Sequence, residues 1–138
     1  RTLTPADLSK EPFLVRERGS GTRSLMERVF EEAGVPQPPI AMEIGSNETI
    51  KQAVMAGLGL SFISAHTVAA EVADGRLKVL DVQGLPAVRQ WLVVRAKDKR
   101  LLPAGLALQG FLAKEGARFL PKMPEGEGGR CFLPKAVG

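Results

Sequence analysis

The sequence predicts an α/β fold in which short strands alternate with helices around a largely parallel sheet. Two glycine-rich turns, at residues 19–22 and 45–48, each follow a short apolar run and precede a segment with helical spacing. Apolar residues make up 44% and charged residues 25% of the 138-residue chain, which is ordinary for a folded globular protein. Alternation of strands and helices at this length favours parallel strands joined by helical connections.

Residues 1–12 contain Pro, Asp and Ser and predict an incoming loop with one short turn of helix. The first strand is expected at Phe13–Arg16. After the first turn a helix is expected, ending at Gly34. Its apolar face should comprise Leu25, Met26, Val29, Phe30 and Ala33, and its charged face Arg23, Glu27, Arg28, Glu31 and Glu32.

The second unit repeats this design. The alternating run Ile40–Ile44 predicts a strand, and Ser46 is expected to cap the helix that follows, with Glu48 in its first turn where a negative charge suits the helix dipole. The core face of this helix should comprise Ile50, Ala53, Val54 and Gly57. Ser61–Ser64 is expected to be a third short strand.

Beyond this point we expect a short helix at Thr67–Ala73, ended by Gly75, and a strand at Leu77–Val82. A longer strand is expected at Val88–Arg95, with Trp91 in the core. The last helix should present Leu108, Phe111, Leu112 and Ala104 on one face. Residues 121–138 lack periodicity and predict a mobile tail.

The first turn is the candidate binding element. Ligands on parallel sheets bind at the carboxyl ends of strands, and the first N–H groups of a helix attract anions or carbonyls. Ser20, Gly21 and Thr22 could contact a ligand or act only as a structural N-cap and turn. Arg23 opposes the helix dipole, so either a bound anion or Glu27 should offset it. Arg16 and Arg18 are expected to be solvated.

Other residues offer weaker signals. Ser46, Asn47 and Glu48 should face the same edge of the sheet as the first turn, and Lys51 could add charge there or lie on the surface. His66 has no partner in a recognised catalytic motif, and the single Cys131 predicts no internal disulfide. We expect no catalytic residue, metal or cofactor. The +4 charge is spread along the chain and does not imply nucleic-acid binding.

Four segments together carry a family resemblance: RERGSGTR, SNETIKQAVMAGLGLSFIS, GRLKVLDVQGLP and RQWLVVRAKDKRLLP. Their order and spacing resemble the effector-binding domain of LysR-type transcriptional regulators over residues 5–120, and most of all the CbbR-like subgroup that controls Calvin-cycle genes. The resemblance implies two α/β subdomains, similar to type 2 periplasmic binding proteins, with a small effector in the cleft between them.

On this template residues 1–12 are a crossover segment, 13–84 form subdomain II, 88–120 supply a returning strand and helix of a partial subdomain I, and 121–138 are a flexible tail. A DNA-binding part and the start of subdomain I are expected to precede Arg1. The resemblance implies effector contacts at the first turn, from Ser20, Gly21 and Thr22. Together with the residues argued above from their place in the sheet, the candidate effector contacts are Gly19, Ser20, Gly21, Thr22 and Arg23 at the first turn and Ser46, Asn47 and Glu48 at the second.

The function implied is a ligand-sensing regulatory domain that binds a small anionic or phosphorylated metabolite and modulates DNA binding and transcription. We expect a homo-oligomer, dimer or tetramer, that contacts DNA only through the preceding domain, has no membrane partner and resides in the cytoplasm. The alternative is a fragment of a type 2 solute-binding protein of a transporter. The sequence shows no paired carboxylates and no nucleophile–base pair that would support an enzyme on a related fold.

Overall fold

The computed structural model describes residues 2–87, 92–120 and 131–134. These form two compact units, the first comprising 2–87 with 131–134 and the second 92–120. In the described residues no helix has the length and apolar character needed to cross a membrane.

The first unit has the predicted α/β alternation. Its elements are α1 (Pro5–Leu8), β1 (Phe13–Val15), α2 (Gly21–Glu32), β2 (Ile40–Glu43), α3 (Asn47–Met55), α4 (Ala65–Ala73), β3 (Leu77–Leu80) and β4 (Cys131–Pro134). The predicted helices and the strands at positions 13, 40 and 77 are therefore confirmed, each to within a few residues.

Strand β1 lies at the centre of the first unit. It pairs in parallel with β2, with Val15 opposite Glu43, and on its other side Leu14 N–H donates to Leu60 O at 2.8 Å. Because side chains alternate along a strand, Phe13 and Val15 pack into one hydrophobic cluster with α2. Leu14 packs into a second cluster with α3, α4 and β3. Helices thus cover both faces of the central strand.

The sheet differs from the prediction in two places. The predicted strand Ser61–Ser64 does not form, since only isolated bridges occur there, at Leu60, which pairs in parallel with Phe13, and at Ser61. The predicted tail contains β4, which pairs antiparallel with β3, so that Leu77 lies opposite Pro134. The other tail residues lie outside the described part.

Helix α2 buries most of the face that its pattern predicts, with two exceptions. Met26 and Phe30 are buried as expected, and Phe30 meets Phe13 edge-on with ring centroids 5.8 Å apart. Ala33, however, is exposed, whereas Arg23 is buried with 7% of its surface accessible. The helix ends as predicted at Gly34, whose φ of +66° suits a residue without a Cβ.

The second unit consists of α5 (Pro103–Glu115) and a 3-10 helix (Gly116–Phe119), which confirms the predicted last helix. Of the predicted strand Val88–Arg95, residues 88–91, with Trp91, lie outside the described residues. Residues 92–95 form no strand, and Leu92, Val93 and Val94 are exposed. A strand needs a hydrogen-bonded neighbour, and the described residues of this unit contain no other strand.

Candidate functional site

The candidate site lies at the edge of the sheet where β1 and β2 end. These strands are parallel and Val15 lies opposite Glu43, so the chain leaves both strands at the same edge. Helix α2 begins at Gly21 and α3 at Asn47, a few residues beyond each strand. The two predicted turns are therefore neighbours, and both helices begin at the edge where parallel sheets bind ligands.

Two hydroxyl groups at the start of α2 have no hydrogen-bond partner among the described residues. Ser20 is the N-cap residue, but its side chain makes no capping hydrogen bond. The Thr22 hydroxyl also makes no hydrogen bond within the described part of the chain. The N–H groups of Thr22 and Arg23, in the first turn of the helix, therefore lack a capping side chain. Gly19 has a φ of +90°, which lets the chain turn sharply before the helix.

Arg23 is held by internal partners. Its Nε donates to Glu27 Oε1 at 2.9 Å, and its Nη1 donates to Glu43 Oε2 at 2.5 Å and to the carbonyl of Arg16 at 3.2 Å. The bonds to Glu27 and then Glu43 raise the pKa of the Arg23 guanidinium above its ordinary value. The sequence predicted that either a bound anion or Glu27 offsets the charge of Arg23. The structure contains the pair with Glu27, and it adds a second pair with Glu43 at the end of β2.

Arg16 connects the two turns, contrary to the prediction that it is solvated. Its Nε and Nη2 form a two-point pair with Glu17, at 2.7 and 2.9 Å, and its Nη1 donates to Asn47 Oδ1 at 2.6 Å. The same pair lowers the pKa of the Glu17 carboxyl. Arg18 is exposed as predicted and has no ion pair among the described residues.

The second turn is capped as predicted. Ser46 Oγ accepts a hydrogen bond from Thr49 N–H at 3.3 Å. Glu48 Oε2 pairs with Lys51 Nζ at 2.7 Å, and this bond is the main reason that the pKa of Glu48 is lowered. Both residues thus use their side chains inside the protein, in contrast to Ser20 and Thr22.

Lys51 is neither a cleft cation nor a surface lysine. It is buried, and its Nζ bridges Glu48 on α3 and Glu71 on α4, the latter at 2.8 Å. The Lys51 bond is the first cause of a lowered pKa at Glu71, whose Oε2 is buried without a hydrogen-bond partner in the described residues. Lys51 therefore joins two helices under the second turn.

The first turn opens onto a shallow cleft of about 330 Å³, lined by Arg18, Gly19, Arg23 and Glu27. Within the described ranges no group of three or more His, Cys, Asp and Glu side chains could hold a metal ion. His66 lies in the first turn of α4, away from these cleft residues in sequence. The arrangement offers hydrogen-bond donors and cations, which suit the binding of an acceptor or anion.

The sequence did not reveal the partners of Arg16, Arg23 and Lys51. Only the spacing of Arg23 and Glu27, four residues apart on a helix, signalled a pair. Asn47 and Glu43 lie 31 and 20 residues from their arginines, so no local pattern connects them.

Comparison with known proteins identifies the family. The family model of the LysR substrate binding domain matches residues 1–117. The chain belongs to this family. The match includes residues 2–87, which contain both turns of the candidate site. The described α/β structure agrees with the type 2 periplasmic-binding-protein-like fold that the resemblance implies.

Two relatives of this chain are transcriptional regulators. It is 78% identical over 137 residues to the HTH-type transcriptional regulator CbbR of Xanthobacter flavus, covering 99% of this chain and 41% of the relative. It is 52% identical over 118 residues to CbbR of Rhodospirillum rubrum, covering 86% and 39%. The chain thus spans about two fifths of the length of these relatives, and the CbbR-like resemblance is confirmed.

A solved structure is also similar. The regulatory domain of Synechocystis PCC6803 CcmR, in complex with 2-PG, superposes with a TM-score of 0.74 at 35% sequence identity. The similarity covers 80% of this chain and 53% of the CcmR chain. The similarity therefore extends to the regulatory domain of a known ligand-bound regulator.

Proposed function

We propose that this chain is a ligand-sensing regulatory domain of a LysR-type transcription factor, and that it binds a small anionic, phosphorylated metabolite at the start of α2. The observation that carries the proposal is the uncapped first turn of this helix. The hydroxyls of Ser20 and Thr22 and the N–H groups of Thr22 and Arg23 have no partner among the described residues, and they lie beside a cleft. Donors arranged in this way suit phosphate or carboxylate oxygens.

The comparisons support a ligand of this kind. CcmR, whose regulatory domain is similar, was solved with 2-PG bound, and we take 2-PG as the first probe for this chain. The contacts that we propose at the first turn fall into two groups. Gly19, Ser20, Gly21 and Thr22 approach the ligand directly, whereas Arg23 supplies its positive charge only from behind, because its guanidinium is held by Glu27 and Glu43.

The second turn takes a smaller part in the proposal. Asn47 contributes its side-chain amide, while Ser46 and Glu48 shape the turn through the cap to Thr49 and the pair with Lys51. Binding regulates only if the ligand has different affinities for two arrangements of the protein. We propose that it thereby changes how a homo-oligomer, a dimer or tetramer, presents a separate DNA-binding domain in the cytoplasm.

We also propose the domain boundaries that the sequence predicts. Residues 13–84 would be subdomain II, and residues 88–120 would be a part of subdomain I. A solute-binding protein of a transporter is not favoured, because the named relatives are transcriptional regulators. We also propose that the domain is not an enzyme.

Calorimetric titration of the natural full-length protein tests the proposal, with 2-PG and inorganic phosphate as probes. We expect saturable binding of 2-PG. Removing one hydroxyl, in Ser20→Ala or Thr22→Val, should weaken binding about fivefold, the usual value of one hydrogen bond. Ser24→Ala, an exposed position on the same helix, is the control and should bind normally.

Three results would contradict the proposal. The first is the absence of binding of either probe, and the second is unchanged affinity in both hydroxyl variants. The third is turnover of 2-PG by the purified protein, which would indicate an enzyme.

A further inference from the structure

We infer that Arg16 is a positioning residue that determines ligand specificity by fixing the orientation of the Asn47 side-chain amide. This inference rests on the proposed function and deepens it, since it identifies what makes the second turn select acceptor groups. The geometric basis is the 2.6 Å hydrogen bond from Arg16 Nη1 to Asn47 Oδ1, across 31 residues of sequence.

The chemistry of the two groups allows one orientation. A guanidinium has only donors, so the Asn47 amide must present its oxygen to Arg16. The Nδ2 group, with two N–H donors, makes no hydrogen bond within the described ranges. An asparagine amide that could otherwise turn either way is thus held with its donors available, which suits a carboxylate or phosphate oxygen and not a donor.

The position of Arg16 is itself fixed. Two bonds to Glu17 hold its guanidinium from one side, and its carbonyl accepts from Arg23 Nη1 at 3.2 Å. The carbonyl of Glu17 in turn accepts from Ser20 N–H at 3.1 Å. The backbone of Arg16 is therefore bonded to the first turn, and its side chain is bonded to the second turn.

This arrangement couples the two turns. Asn47 is the first residue of α3, and Ser20 precedes α2. A ligand that contacts both helix starts meets donors from each, at a spacing that Arg16 sets. Arg16 acts through Asn47 and does not itself need to touch the ligand.

Asn47→Asp is the decisive variant. It keeps an oxygen for Arg16 and adds a negative charge to the first turn of α3, which the helix dipole favours, so the melting temperature should be equal or higher. It also replaces the free N–H donors with an acceptor, so affinity for 2-PG should fall about tenfold or more.

Arg16→Met tests the positioning role by calorimetric titration of the natural full-length protein with 2-PG. In this variant the Asn47 amide is no longer held, so the protein should bind 2-PG about threefold to tenfold more weakly. Adding Arg16→Met to Asn47→Asp should not lower the affinity for 2-PG any further. Arg28→Met, which loses an exposed pair with Glu32, is the matched control and should bind normally.

The outcomes separate the two proposals. If the unaltered protein does not bind 2-PG or phosphate, the proposed function fails. If it binds, unchanged affinity in Asn47→Asp overturns the role of the amide. Additive losses in the double variant, or normal binding by Arg16→Met, overturn the positioning role of Arg16.

Discussion

Replacing Lys51 with methionine should destabilise the first unit strongly, because it removes one member of a buried ion pair. Lys51 Nζ lies 2.8 Å from Glu71 Oε1 and 2.7 Å from Glu48 Oε2. Without it, the nearest cation to Glu71 is Arg76, at 3.8 Å, and the carboxylate stays 7% exposed with Oε2 unpartnered. Breaking a buried pair in this way costs about 3 kcal/mol, which lowers the melting temperature by about 10 °C.

Thermal and urea unfolding followed by circular dichroism measure this change. The double variant Lys51→Met, Glu71→Leu should recover most of the lost stability, since an apolar pair replaces an uncompensated charge. Arg28→Met is the matched control for loss of a cation from an exposed pair and should change the free energy of unfolding by less than about 0.5 kcal/mol. If Lys51→Met is no less stable than Arg28→Met, or if the double variant is the least stable, the reasoning is wrong.

The same pair predicts a dependence on pH. Because the bond from Lys51 lowers the pKa of Glu71 in the folded protein, its contribution is complete above the ordinary glutamate pKa of about 4.3. This contribution is lost as the pH falls from there through the lower folded pKa. The free energies of unfolding of the unaltered protein and of Lys51→Met, measured in urea, should therefore become more similar as the pH falls from 7 to about 3.5. A difference that does not change with pH would contradict a role of the Lys51–Glu71 pair.

Two further substitutions, Gly59→Ala and Phe30→Ala, test the packing around β1, and Gly57→Ala is the control for the first. Gly59→Ala should destabilise by about 3 kcal/mol in urea unfolding, because φ is +156° and a Cβ would lie 2.6 Å from the carbonyl oxygen of Pro12. Gly57→Ala, with φ +78° and no atom within 4 Å, should cost only about 1 kcal/mol, and equal losses would refute the steric argument. Phe30→Ala should cost about 3 kcal/mol by the same measurement, because Phe30 is 2% exposed and packs edge-on against Phe13. If Phe30→Ala lost less than about 1 kcal/mol, the prediction would be wrong, because the surrounding residues would have filled the space that the ring leaves.

Local patterns were sufficient to predict most elements of the first unit. Helices α2 and α3 follow from apolar spacing, the cap at Ser46 from its residue type, and the end of α2 from Gly34. Strand β4 could not be predicted in this way, because its pairing with β3 joins segments about fifty residues apart and depends on no local signal. The strand predicted at Ser61–Ser64 failed for a related reason, since pairing in this region is limited to isolated bridges at Leu60 and Ser61.

The positions of the two candidate turns were predictable, but the partners of their charged residues were not. A hydrophobicity pattern assigns charged residues to the solvent face, so it predicted Arg23 on the charged face of α2 and Lys51 in the cleft or on the surface. Both are buried because carboxylates from other elements, Glu43 and Glu71, satisfy them there. Ser20 is the converse case, since a residue typical of capping sits at the N-cap without using its hydroxyl.

The paired arginines of the first turn also bear on how the site would respond to ionic strength. The charged side chains around this turn are three arginines and three glutamates, and so they cancel: Arg16, Arg18 and Arg23 against Glu17, Glu27 and Glu43. Screening by salt acts mainly on long-range attraction between net charges, and little on short hydrogen bonds. An anion held here would be retained by directed donors at close range, so its affinity should vary little with salt, unlike binding to the polyanionic backbone of DNA.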